Sequence, residues 1–152
     1  MKGIAVFQNR LNGYVTFKQD NKDSPVKISG HINKLAPGKH GIHIHVYGNL
    51  LKSDCMNCGG HWNPTGVDHG SRTSENSHAG DFGNITANDE KESKFYFITS
   101  KITLYGENSV IGRSLVIHED EDDLGLGGYP DSLTTGHSGK RLDCAVIGID
   151  KE

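Results

Sequence analysis

Val26-Lys27-Ile28-Ser29-Gly30-His31-Ile32 sets apolar side chains at every second position, with Gly30 holding the one place in that row without a side chain. A period of two is the mark of a strand with one face buried and one face in water; a helix would repeat near 3.6. The same rhythm spreads outward from this stretch. Ile4–Phe7 lies before it, and Tyr14–Phe17 follows the hairpin signal Asn12-Gly13. His40–Val46, Gly83–Ala87, Lys94–Thr99, Ser114–His118 and Cys144–Ile149 continue the series, and Lys101–Tyr105 is a candidate ninth. Gly, Asn, Asp or Pro separate the runs, and none keeps a helical period. The pattern predicts an all-β fold, an antiparallel sandwich or barrel of about eight strands, with residues 1–152 forming one domain.

Composition narrows the function. Sixteen Lys+Arg against 19 Asp+Glu give a net charge of −3, without a basic cluster, which excludes a nucleic-acid partner. No run of about 18 apolar residues exists, so no membrane span is expected. The first ten residues carry an apolar core too short for a secretory signal, and a cytoplasmic location is the expectation. Three cysteines, Cys55, Cys58 and Cys144, cannot all pair with one another. Cys55-x-x-Cys58 lacks the second pair of a zinc ribbon and the βαβ setting of a thioredoxin motif, so neither is favoured.

Two stretches break the strand rhythm: residues 48–80, 33 long, and residues 119–141, 23 long. Structureless loops beyond about 15 residues are uncommon in compact domains unless they are functional or disordered. The first carries His61, His69, His78, Trp62 and two cysteines, which is not the composition of disorder. A metal ion would order it. His43-Ile44-His45 puts two imidazoles on one face of a strand, about 7 Å apart along the chain. His118 closes another strand, and Asp81 follows His78 by three residues. Nitrogen-rich sites suit copper, and histidine with a carboxylate suits zinc.

Gly41–His45, Gly60-His61-Trp62-Asn63-Pro64, His69-Gly70, His78–Ile85, Ile111–Glu119 and Gly139–Cys144 together resemble the copper/zinc superoxide dismutases, and the resemblance runs nearly end to end. It implies an eight-stranded antiparallel Greek-key sandwich or barrel of immunoglobulin-like type, with copper held by His43, His45, His61 and His118, and zinc held by His61, His69, His78 and Asp81. His61 would then be a bridging imidazolate, at once ligand and proton donor. It further implies that Asp122 links His43 to His69, that Arg141 captures the superoxide anion with Thr135 as the opposite channel wall, and that Cys55 and Cys144 form a disulfide. A homodimer is implied as well, with a copper chaperone as a second partner. The activity implied is conversion of superoxide to O2 and H2O2, and enzymes of this family work near the diffusional ceiling.

The chain departs from the family pattern in two places. One extra residue lies between His45 and His61, in the subloop Asn49–Asp54 that contributes to the family's dimer contact, which puts the local interface in question. Glu119–Asp123 is a run of five acids, and Asp120 and Thr134 stand where many relatives carry guiding lysines. Charge around a cleft sets the on-rate of a charged substrate, so slower association with superoxide and a weakened salt dependence are expected. Cys58, His31, His40 and His137 are read as structural, with His137 near enough in sequence to approach the channel. Asn84-Ile85-Thr86 is a formal sequon expected to be unused. The competing reading is a dismutase-like protein that binds copper or a partner chain without turnover. The complete ligand set and Arg141 argue against it.

Overall fold

The computed structural model describes residues 1–152. Eight antiparallel strands form one sheet: β1 (Lys2–Phe7), β2 (Asn12–Lys18), β3 (Val26–Asn33), β4 (Gly38–His45), β5 (Asp81–Ala87), β6 (Glu92–Thr99), β7 (Ser114–His118) and β8 (Arg141–Asp150). Their order in the sheet is β5-β4-β7-β8-β1-β2-β3-β6. The edges β5 and β6 are consecutive in the chain and joined by a short turn. Phe82 of β5 meets Phe97 of β6 edge to face at 5.1 Å, so the sheet curls into a nearly closed barrel. The β3–β4 and β6–β7 connections cross between non-neighbouring strands, which is the Greek-key path.

Each expected strand is present, most of them longer by one to three residues at an end. The candidate ninth is not a strand. Residues 101–105 make a single bridge, Thr103 to Ser109. Their alternation has another cause: Ile102 and Leu104 both point into the barrel from a crossing loop, and Gln19 accepts a hydrogen bond from the Leu104 amide at 2.7 Å. The core is aliphatic and aromatic: Phe7, Val15, Phe17, Ile28, Ile32, Leu35, Ile42, Ile44, Leu115, Ile117 and Ile147 are all buried. Gly30 stands opposite Phe95 across β3 and β6, and a Cβ there would lie 2.2 Å from the Phe95 ring. This explains the missing side chain in the alternating row: the ring of the neighbouring strand fills its place.

Burial differs around the barrel. β1 and β3 alternate buried and less buried residues, whereas β4 from His40 to His45 and all of β7 are buried on both faces. The cover on the outer face comes from the two long loops. The first contains one 3-10 turn (Met56–Cys58); the second contains one short helix, α1 (Ser132–Thr135). Cys55 is joined to Cys144 on β8 by a disulfide that spans 89 residues, so the first loop is tied to the last strand. The Arg113 guanidinium lies 3.4 Å over the Trp62 ring and donates to the Val46 carbonyl at 3.2 Å, a second tie between that loop and the barrel. Cys58 is free and buried; its thiol packs beside Cys55, Val116 and Cys144.

Candidate metal centre

On β4, Ile42 and Ile44 point into the core, so His43 and His45 must point out, under the loops. His118 does the same at the end of β7, next to β4 in the sheet. His61 pairs with His45 through an isolated bridge, which carries its ring onto the same patch. Four imidazoles thus converge: one nitrogen each of His43, His45, His61 and His118 lies within 4.8 Å of the others.

Each ring is held by its second nitrogen. His43 Nε2 lies 2.7 Å from Asp122 Oδ2, His45 Nδ1 lies 2.9 Å from the Gly59 carbonyl, and His118 Nδ1 lies 3.3 Å from the Gly139 carbonyl. A ring that donates on one side presents a lone pair on the other. The remaining atoms are His43 Nδ1, His45 Nε2, His61 Nε2 and His118 Nε2. All four are buried without a hydrogen-bond partner. Buried polar atoms are rarely left unpaired, and four facing one another call for a shared cation.

The second pocket adjoins the first through His61. Its Nδ1 lies 2.9 Å from Asp81 Oδ1 and 3.2 Å from His78 Nδ1. His69 Nδ1 is also 2.9 Å from Asp81 Oδ1, and His78 Nδ1 is 3.3 Å away. Donors about 2.0–2.1 Å from a tetrahedral zinc stand about 3.3 Å apart, so these separations fit that ion. Asp81 is oriented by two backbone amides, of Gly70 at 3.1 Å and His78 at 2.9 Å, which both donate to Oδ2 and leave Oδ1 to the imidazoles. The donor sets therefore fit both ions: four nitrogens in one pocket, three nitrogens and a carboxylate in the other.

Asp122 lies between the two pockets. One carboxylate spans the pockets, with Oδ2 on His43 and Oδ1 on His69 Nε2, both at 2.7 Å. Asn84 clamps the backbone behind it, accepting from the Asp122 amide at 2.7 Å and donating to its carbonyl at 2.9 Å. The sequon asparagine is thus committed to holding this loop. Gly136, at φ 71, lies so close that a Cβ would fall 2.0 Å from Asp122 Oδ1.

Electrostatics separate the two pockets. Burial drives His43 and His45 well below the ordinary histidine range and His118 to about 3, and neighbouring imidazoles push the same way. These rings stay neutral and able to ligate at neutral pH. Burial also lowers His61, partly offset by its bond to Asp81. His69 is the exception: burial would lower it, but Asp122 and Asp81 outweigh that and raise it to about 9. Asp81 is held far below the carboxylate range: three imidazole hydrogen bonds overcome the cost of burial.

Arg141 is half-buried, and its Nη1 donates to the Cys55 carbonyl at 2.9 Å. The disulfide residue thereby also fixes the guanidinium. Thr135 sits in α1 with its hydroxyl donating to the Asp131 carbonyl at 3.3 Å. The other histidines are structural. His40 spans the carbonyls of His118 at 2.9 Å and Ala36 at 2.7 Å. His31 pairs with Glu92 at 3.0 Å on the outer face. His137 pairs with Asp131 at 2.7 Å and stacks on Tyr129 at 3.7 Å, exposed to solvent. The acidic run is also divided. Asp122 is internal, Asp123 accepts from the Gly125 amide and the Ser132 hydroxyl, and Glu121 faces Lys39 at 3.5 Å.

Sequence reasoning did not identify the carbonyls of Gly59, Gly139 and Cys55, which aim His45, His118 and Arg141. Every residue has a carbonyl, so no residue type marks them. The pairing of Asn84 with Asp122 was equally silent.

The profile of the family described as copper/zinc superoxide dismutase (SODC) matches residues 11–147. Superoxide dismutase [Cu-Zn] 5 of Dictyostelium discoideum is 45% identical over 152 residues, covering 99% of each chain.

Proposed function

The chain belongs to the copper/zinc superoxide dismutase family, and on that footing we propose how its own residues convert two superoxide ions and two protons into O2 and H2O2. The four unpartnered imidazole nitrogens carry the reading. His43 Nδ1 and the Nε2 atoms of His45, His61 and His118 would hold copper. The Nδ1 atoms of His61, His69 and His78, with Asp81 Oδ1, would hold zinc. Copper bound there would supply a one-electron couple, and zinc a redox-inert positive charge.

The protein's part is positioning and proton handling. His61 Nδ1 is fixed among Asp81 and His78, so Nε2 is the one atom of this ring that could exchange a proton with the product. Asp122 and the Gly59 and Gly139 carbonyls fix tautomer and tilt of the other rings. Arg141, anchored on Cys55, offers a rigid fork that draws in the anion and aligns it, and Thr135 forms the facing wall. Metal content measured together with superoxide consumption, on the protein and on His118→Ala, tests this. The loaded protein is expected to be active and the variant to lose at least about 10²-fold, a typical cost of removing one electrostatic or ligating group at a reaction centre. An inactive, fully copper-loaded protein would overturn the reading.

A second copy of the chain is the partner we assign to the apolar surface formed by Leu50, Leu51, Val146 and Ile149. Leu51 and Ile149 are 89% and 73% exposed, and the subloop and β8 adjoin where Gly48 meets Val146. Sedimentation is expected to give twice the 16.5 kDa chain mass. Leu51→Asp should halve it.

A further inference from the structure

The largest groove on the protein does not lie over the imidazoles. It has a volume of about 480 Å3 and runs along the outer flank of Arg141, lined by Arg10, Asp54, Met56, Glu119, Lys140 and Leu142 as well. Three cations meet there against two acids, in a chain whose net charge is −3. Arg10 comes from the β1–β2 turn. The buried Asp143 carboxylate brings it there by accepting the Leu11 amide at 2.8 Å, and Arg10 Nη1 lies 3.4 Å from the Leu142 carbonyl. Lys140 directly precedes Arg141.

These cations are free to act on a ligand. Neither Arg10 nor Lys140 has a carboxylate within 4.0 Å, unlike Lys27 and Lys94 on the far side of the barrel. Arg141 joins the groove to the metal centre: it pairs with His118 across β7 and β8, and it lines the groove together with Glu119, the neighbour of His118.

We propose that superoxide arrives along this groove and that Arg10 and Lys140 are positioning cations that pass it to Arg141. The inference rests on the dismutase reading above. When encounter limits the rate, two unpaired charges within a Debye length of the path raise it, and added salt removes the gain.

The test is superoxide decay by pulse radiolysis with the copper- and zinc-loaded protein, across ionic strength. Arg10→Gln with Lys140→Gln is compared with Lys27→Gln with Lys94→Gln, which removes the same charge from the far side of the barrel. The groove pair should lower kcat/KM about three- to tenfold at low salt and converge with the parent at high salt. Its rate should then rise with added salt while that of the parent falls. The distant pair should change the rate less than about twofold at any salt. Equal effects of the two pairs, or a deficit that persists at high salt, would overturn the proposal. Inactivity of the loaded parent would instead overturn the dismutase reading.

Discussion

The β1-β2-β3-β6 side of the barrel and the β4-β7 side obey the same pleat and end in opposite environments. On β3, Lys27, Ser29 and His31 point outward and stay partly or fully in water, and His31 needs only a surface partner, Glu92. On β4 and β7, His43, His45 and His118 also point outward, yet the loops bury them completely. An outward polar side chain in water is cheap. The same side chain under a loop must be paired, and these are paired on one nitrogen each. The pleat decides direction, and the loops decide chemistry.

Metal removal should widen that contrast most. Without cations the four facing nitrogens lose their common partner. Hydrogen exchange of the metal-free protein should show amides in 48–80 and 119–141 opening first, while β1, β2, β3 and β6 keep their protection. Equal loss on both sides would break the comparison.

Asp122→Ala comes next. It leaves His43 and His69 without the carboxylate that orients them, a buried loss of about 3–5 kcal/mol. Thermal unfolding and zinc retention should both fall, and a variant that kept its zinc would assign the orienting role elsewhere.

Acid and base should then act on the covered side of the metal-free protein. His43, His45 and His118 sit below their ordinary range, so between about pH 6.5 and 3 the unfolded chain binds more protons and stability falls with acidification. His69 works the other way. Its raised value, about 9, stabilises below about pH 6.5 and is lost as pH climbs through 9. Calorimetry should find the highest melting temperature near pH 6.5, and His118→Gln should flatten the acid limb alone.

The smallest effect belongs to the open side. His31→Gln removes a half-exposed polar contact with Glu92 and should change stability by less than about 1 kcal/mol, with activity unmoved. A larger loss would show that this face is less solvated than its pattern indicates.

The open side was nearly all legible in the sequence, because alternation and burial coincide there: Val26, Ile28 and Ile32 face in, and Lys27 and His31 face out. The covered side was legible in its ligands and not in their supports. His-x-His marks an outward pair on a strand, and His61, His69, His78 and Asp81 stand out in a long loop. The carbonyls that aim them carry no sequence signal. Residues 101–105 misled because alternation there reports two side chains plugging the barrel from a loop, not a ladder. Arg10 lies 130 residues before Lys140 in sequence, so only the fold could reveal their shared groove.

Asp122 has a further consequence. A single carboxylate gripping His43 with one oxygen and His69 with the other, together with one imidazole shared through His61, leaves neither pocket an independent affinity. By thermodynamic reciprocity, whatever factor an ion in the His69 pocket applies to binding in the His43 pocket is returned unchanged. A change at Asp122 or His61 therefore retunes both pockets at once, and a shortage of one ion in the surroundings alters the hold on the other by the same factor.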